Sequence, residues 1–212
     1  MKYLEIKNLT KSIKDITVLD NINLSLDKGK IYGFIGRNGS GKTMLFRAIC
    51  GLIKIDTGYI KINGKELNKD ISFPDSVGVI IENPGFWENY TAFENLKILS
   101  QIKNVINDDD ICYQLDRIGL SDKKDLKYKK FSLGMKQKLA IVQAIMEKPK
   151  LIVLDEPTNG LDEESCKLVR QILIQEKERG AIILVASHNK EDINYLADEK
   201  FKIDNGKLKE FN

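Results

Sequence analysis

A chain of 212 residues, 42% of them hydrophobic, can bury the core of one large domain or of a domain with a sizeable insertion. Its 34 basic and 31 acidic residues leave a net charge of +3, too nearly balanced to argue for a nucleic-acid partner. No run approaches the roughly 18 consecutive apolar residues of a membrane span, and Met1-Lys2-Tyr3-Leu4-Glu5 carries charge where a signal peptide needs apolar residues. The expected location is therefore the cytoplasm, with any membrane role peripheral.

In chain order, Leu4, Ile6 and Leu9 alternate as on a strand, and Ile22, Leu24 and Leu26 repeat the pattern up to Asp27-Lys28-Gly29, which reads as hairpin punctuation. Ile31 to Ile35 is an apolar strand, and the helix from Lys42 stops at Gly51. Cys50, Cys112 and Cys166 are odd in number, far apart and each within a helix-like pattern, so they read as small buried thiols rather than as disulfides or a metal cluster. Asn63-Gly64 is a turn between short strands, and Val77 to Ile81 is a further buried strand, broken by Glu82-Asn83-Pro84-Gly85.

From Asn83 to about Phe131 strands give way to helices, which marks a lobe, residues 83–131, inserted in a core made of 1–82 and 132–212. Thr91-Ala-Phe-Glu94 is a capping box for a helix through about Ile102, and Asp108-Asp109-Asp110 opens another that stops near Gly119. Lysines 123, 124, 127, 129 and 130 read as a solvated face. Ser132 caps a helix that continues to about Glu147, with Pro149 beyond it. Leu151 to Leu154 is apolar on both faces and ends in Asp155-Glu156; a helix from Glu163 to Arg179 leads to a second such strand, Ala181 to Ala186, ending at Ser187-His188. A helix over about Lys190 to Ala197 and a hairpin turning at Asn205-Gly206 close the chain. Alternating strands and helices predict a parallel sheet with its ligand chemistry at the C-terminal strand ends.

One stretch at such an end carries the most information. Gly36-Arg-Asn-Gly-Ser-Gly-Lys-Thr43 fits Gly-x4-Gly-Lys-Ser/Thr between a strand and a helix. Gly36, Asn38, Gly39, Ser40 and Gly41 form the loop whose N–H groups cradle phosphate; Lys42 reaches the β- and γ-phosphates, and the Thr43 hydroxyl ligates Mg²⁺. Asp155 and Glu156 at a buried strand end need a partner, which assigns Asp155 to Mg²⁺ and leaves Glu156 to polarise the attacking water. His188, the only histidine, follows a strand expected beside that of Asp155, which aims its ring at the γ-phosphate. Phe131-Ser-Leu-Gly-Met135 makes a second anion site at a helix start. It lies away from Lys42 within one copy, so the two meet on one nucleotide only if two copies face head to tail.

The order Gly36 to Thr43, Glu82, Ser132 to Met135, Leu151 to Glu156, Gly160-Leu161-Asp162 and His188 resembles the ATP-binding subunit of an ABC transporter over essentially the whole chain. The resemblance implies an α/β fold: a P-loop NTPase core with a mainly parallel sheet, an N-terminal antiparallel β subdomain and an inserted α-helical lobe. It implies ATP and Mg²⁺ as cofactors, a second ATP-binding protomer whose γ-phosphate is contacted by Ser132 and Gly134, and a transmembrane permease subunit on which the lobe docks. Glu82 stands where the family usually has glutamine and can supply an oxygen to Mg²⁺. This glutamate, with Leu133 and Met135 in the signature, is similar to the bacitracin-resistance and lantibiotic-immunity exporters, which implies export. The family's adenine-stacking aromatic falls near Ile13 here, where apolar contact replaces stacking. A soluble ABC protein of translation or DNA is the alternative, but those carry two such domains or a long coiled-coil insertion. A nucleotide-sensing module is a further one, which intact Glu156 and His188 argue against.

Overall fold

The computed structural model describes residues 2–82, 85–188 and 190–211. Two sheets organise the chain. The first is antiparallel, in the order β2-β1-β4-β5, from β1 (Leu4–Ile13), β2 (Ile16–Leu26), β4 (Thr57–Ile62) and β5 (Lys65–Glu66). The turn between β1 and β2 is Lys14-Asp15, with φ 46° and 64°, the left-handed pair that a two-residue hairpin demands. Asp27-Lys28-Gly29 is therefore not the hairpin turn that its composition suggests. It carries the chain from β2 into the second sheet, with the Asp27 N–H donating to the Tyr32 hydroxyl at 2.8 Å. Asn63 and Gly64, both at positive φ, make the turn expected of them.

The second sheet has the order β10-β9-β3-β8-β7-β6. In it β3 (Ile31–Ile35), β6 (Val77–Ile80), β7 (Leu151–Asp155), β8 (Ile182–Ala186) and β9 (Glu199–Asp204) run parallel, and β10 (Lys207–Glu210) returns antiparallel along one edge. The central strands are buried on both sides, as their unbroken apolar runs require. Ile152, Leu154, Ile183 and Val185 point into one cluster, where Leu139 and Val142 of α4 (Leu133–Ile145) and Val169, Ile172 and Leu173 of α5 (Glu163–Glu178) cover them. Leu151, Val153, Ile182 and Leu184 point the other way, into a cluster with Leu45, Phe46 and Ile49 of α1 (Lys42–Ile49) and with Leu4, Ile6 and Leu24 of the first sheet.

Between β6 and α4 lie α2 (Ala92–Ser100) and α3 (Asp108–Arg117), opened by complete capping boxes at Thr91/Glu94 and Asn107/Asp110. The apolar residues of this region, such as Leu96, Ile111, Leu115 and Phe131, belong to the same cluster as Ile152 and Leu154. The link is α4, whose later residues Leu139 to Val142 are buried all round, because it is packed between that region and the sheet. A buried Glu176, paired with Arg117 of α3 and with Arg179, adds a polar tie between α3 and α5. α6 (Lys190–Leu196) packs Ile193 against β3, where a Cβ at Gly33 would sit 2.5 Å from its side chain. Of the three thiols only Cys50 is buried, and burial pushes it up to about 12; Cys112 and Cys166 are half-exposed, which differs from the expectation. Among the described residues no helix is long and apolar enough to cross a membrane.

Gly78 on β6 shows how closely α4 lies on the sheet, since a Cβ there would stand 1.6 Å from the Ala144 carbonyl oxygen. Backbone cannot yield as a side-chain tip can. Gly78→Ala is expected to cost at least about 3 kcal/mol, read as a lower urea midpoint; a midpoint equal to the parent's would show that α4 can move off β6.

Candidate functional site

The glycine loop begins where β3 ends and stops at α1. Gly41 stands at the N-cap of α1 with φ 113° and offers no side-chain cap, so the first N–H groups of the helix remain available to a ligand. Lys42 is buried, and its Nζ folds back to donate to the carbonyls of Gly36 (2.7 Å) and Arg37 (3.2 Å). Among the described residues no carboxylate pairs with it, so a buried ammonium with a third donor to spare is held inside the loop. The Ser40 hydroxyl is also buried and has no hydrogen-bond partner among the described residues. Both groups fit an anion.

Thr43, the second residue of α1, donates from Oγ1 to Asp155 Oδ2 at 2.5 Å, across 112 positions of sequence. Two hard oxygens in contact beside a phosphate-binding loop suit a small divalent cation. Glu156 follows, with its N–H on the Ala186 carbonyl at 2.8 Å. Its Oε1 accepts the His188 N–H at 2.9 Å and its Oε2 lies 2.8 Å from His188 Nδ1. The expected adjacency of the Asp155 and His188 strands is thus observed, since β7 and β8 pair directly. His188 reaches the site through Glu156.

A cavity of about 460 Å³ is lined by Asn38 to Met44, by Asp155 and Glu156, and by Val18. Gly36 does not line it; its carbonyl accepts from Lys42, which does. Four other candidates, Glu82, Ser132, Gly134 and Ile13, lie apart. Glu82, at φ 62° just beyond β6, pairs with Arg47 of α1 at 2.6 Å rather than with Thr43 or Asp155. Ser132 caps α4 by accepting the Met135 N–H at 3.2 Å, and Gly134 packs closely over Gly160, where a Cβ would crowd that carbonyl oxygen at 3.3 Å. Ile13 is exposed at the tip of the first hairpin and does not line the cavity, whereas Val18, five residues on, does. The remainder of the stretch after Glu82, Asn83-Pro84, lies outside the described residues.

Sequence reasoning missed what supports the loop from outside. The turn Asn205-Gly206 between β9 and β10 donates the Gly206 N–H to the Ser40 carbonyl at 3.0 Å, and Gly206 accepts from the Asp20 N–H of β2 at 2.8 Å. Cβ atoms at Gly41 and at Gly206 would each stand 2.8 Å from the Val18 carbonyl oxygen. Three backbones therefore meet at two glycines. The segment after Glu156 is likewise pinned: Thr158 donates to the buried Asp192 of α6 at 2.6 Å, and Arg170 of α5 pairs with the same carboxylate. Asp162 caps α5 by accepting the Ser165 N–H at 2.7 Å, a bond that holds its carboxyl below the usual range. The Gly206–Ser40 and Thr158–Asp192 contacts join segments so distant that no local pattern reveals them.

A strand, a glycine loop and a helix, with a buried lysine and a threonine–aspartate pair at the ends of parallel strands, define a P-loop nucleotide-binding protein. The comparisons narrow this. The sequence model of the ABC transporter family matches residues 19–159, so the chain belongs to that family. It is 55% identical, over 97% of its own length and 94% of the other's, to the uncharacterized ABC transporter ATP-binding protein YybJ of Bacillus subtilis (strain 168). It is 39% identical to the bacitracin transport ATP-binding protein BcrA of Enterococcus faecalis, covering 93% of this chain and 65% of that protein. With the lantibiotic transport ATP-binding protein SrtF of Streptococcus pyogenes it shares 37% over 92% of this chain and 84% of the other. A solved structure of an ATP-binding subunit of an ABC transporter superposes with a TM-score of 0.89 at 27% identity, over 99% of this chain and 90% of that one. The chain is an ABC transporter ATP-binding subunit, and the resemblance to the bacitracin and lantibiotic branch holds.

Gly206→Ala isolates the support of the loop, because Gly206 does not line the cavity and sits at φ 74°. Its new Cβ would push against Val18 and the Ser40 contact, and ATP affinity is expected to fall about tenfold, a loss of about 1.4 kcal/mol. Titration with a fluorescent ATP analogue reads this; parental affinity in a folded variant would show that the hairpin does not shape the loop.

Proposed function

We propose that this subunit hydrolyses Mg-ATP to drive an ABC exporter, in a dimer that closes around two nucleotides. The observation that carries the hydrolytic reading is that Lys42, the Thr43–Asp155 pair and Glu156 border one cavity, with His188 holding the Glu156 carboxylate. In this reading the loop N–H groups, Ser40 and Lys42 bind the phosphates, and Thr43 and Asp155 hold Mg²⁺. Glu82 supplies a further oxygen after leaving Arg47. A cation held by these oxygens would neutralise phosphate charge and polarise the bond to be cleaved. Glu156 takes a proton from the attacking water at its carboxylate, and His188 fixes the direction in which that carboxylate points.

Ser132 and Gly134 do not line the cavity of their own protomer, which supports the view that they serve a nucleotide held by a second one. A membrane-spanning permease subunit completes the assembly and brings this subunit to the inner face of the membrane. The names of the bacitracin and lantibiotic relatives support export of an antimicrobial or amphipathic peptide. The contact region is the one around Glu82 and α2.

Glu156→Gln keeps the shape and removes the base. Turnover is expected to fall about 10²- to 10⁴-fold while ATP still binds, and size-exclusion chromatography with ATP should reveal a dimer. Parental turnover in this variant would sink the assignment. Lys42→Ala is expected to abolish ATP binding, and binding at parental strength would overturn the role of the loop. Affinity purification from membranes should bring down a hydrophobic subunit; recovery only with ribosomes or DNA would reject the transport reading.

A further inference from the structure

Glu156 is held in a conformation it would not choose. Its φ of 53° is left-handed, which costs on the order of 1 kcal/mol or more for a side chain of this kind. The following Pro157 further biases the residue before it toward extended backbone. Neighbours must therefore impose the geometry. Three residues hold it from β8 and just after: the Ala186 carbonyl accepts the Glu156 N–H, and the Ser187 hydroxyl (3.3 Å) and His188 hold the carboxylate.

The opposite side of the residue is held from a different element. Gln137 of α4 donates from Nε2 to the Pro157 carbonyl at 2.9 Å and to the Glu156 carbonyl at 3.2 Å. The Asn159 N–H also reaches the Glu156 carbonyl, at 3.2 Å, but Asn159 belongs to the same turn and moves with it. Proline has no N–H, so the two carbonyls are the handle by which another element can grip this peptide. Gln137 is half-buried and does not line the cavity.

We infer that Gln137 is a positioning residue for ATP hydrolysis, acting through the backbone of Glu156 to keep its carboxylate on His188 and at the cavity. The inference rests on the proposed role of Glu156 as base. Without the amide fork the 156–157 peptide can relax toward negative φ, and the carboxylate swings with it. Gln137 lies about one and a half turns beyond Ser132 on the same helix. A shift of the first turn of α4, when Ser132 and Gly134 engage the nucleotide of the second protomer, is thereby transmitted to Glu156.

Gln137→Met keeps length and volume and removes the donor; Gln137→Glu does the same with a carboxylate and serves if the first does not fold. Each is expected to lower kcat between about tenfold and a hundredfold with KM and ATP affinity unchanged. The decisive measurement is the double variant with Glu156→Gln, whose residual turnover should equal that of Glu156→Gln alone, because the tie has nothing left to position. Parental kcat in a folded Gln137 variant, or a further drop in the double variant, overturns the inference. Parental turnover in Glu156→Gln by itself is a different failure, that of the base assignment.

Discussion

The hydrogen bond between Thr43 and Asp155 is the contact on which the site depends. It joins the first turn of α1 to the end of β7, although β8 lies between β3 and β7 in the sheet. It can form only if β3, β8 and β7 run parallel, are nearly level at their C-terminal ends, and are each followed by a chain segment that turns over the same edge. The sheet provides this because its strands are buried on both sides. Alternate residues of β7 and β8 feed separate hydrophobic clusters, so a slip of one residue would exchange the two sets and misplace the Asp155, Glu156 and His188 side chains at their ends.

That rigid edge lets a few residues be held under strain. Glu82, two residues beyond β6, and Glu156, directly after β7, both adopt positive φ although neither is glycine. Glu156 is constrained from three directions: β8 through Ala186, His188 through the carboxylate, and α4 through Gln137. Among the described residues Glu82 has one ion pair, an exposed one to Arg47 on α1. An exposed pair is worth little, so the carboxylate there is easily released, whereas that of Glu156 is not. The two glutamates thus differ in how freely they can be repositioned, a difference that follows from burial and partner count.

Much of the site could be read locally. The glycine loop, the acidic pair at the end of an apolar strand, the serine cap of α4 and the lone histidine each occupy a short stretch whose residue types are set by local chemistry. Element types and most boundaries were legible for the same reason, since apolar periodicity and caps act over a few residues. The first hairpin turn was not, because Lys14-Asp15 contains neither glycine nor asparagine and takes its left-handed backbone from the pairing of Ile13 with Ile16. Asp27-Lys28-Gly29 has the composition of a turn but serves a crossover between sheets. Composition cannot distinguish the two, because both need a chain reversal near a glycine.

By itself the sequence determined that this protein cradles phosphate, which residues could ligate a cation and move a proton, and which family it joins. Those properties belong to residue types at fixed spacing. Only the tertiary structure decided what surrounds them: Val18 rather than Ile13 beside the cavity, Gly206 beneath the loop, Arg47 on Glu82, and Gln137 behind Glu156. Each of these joins segments whose approach is set by the packing of two sheets and a buried helix. Such contacts arise from the summed burial of many distant side chains, so no single stretch of the chain encodes them.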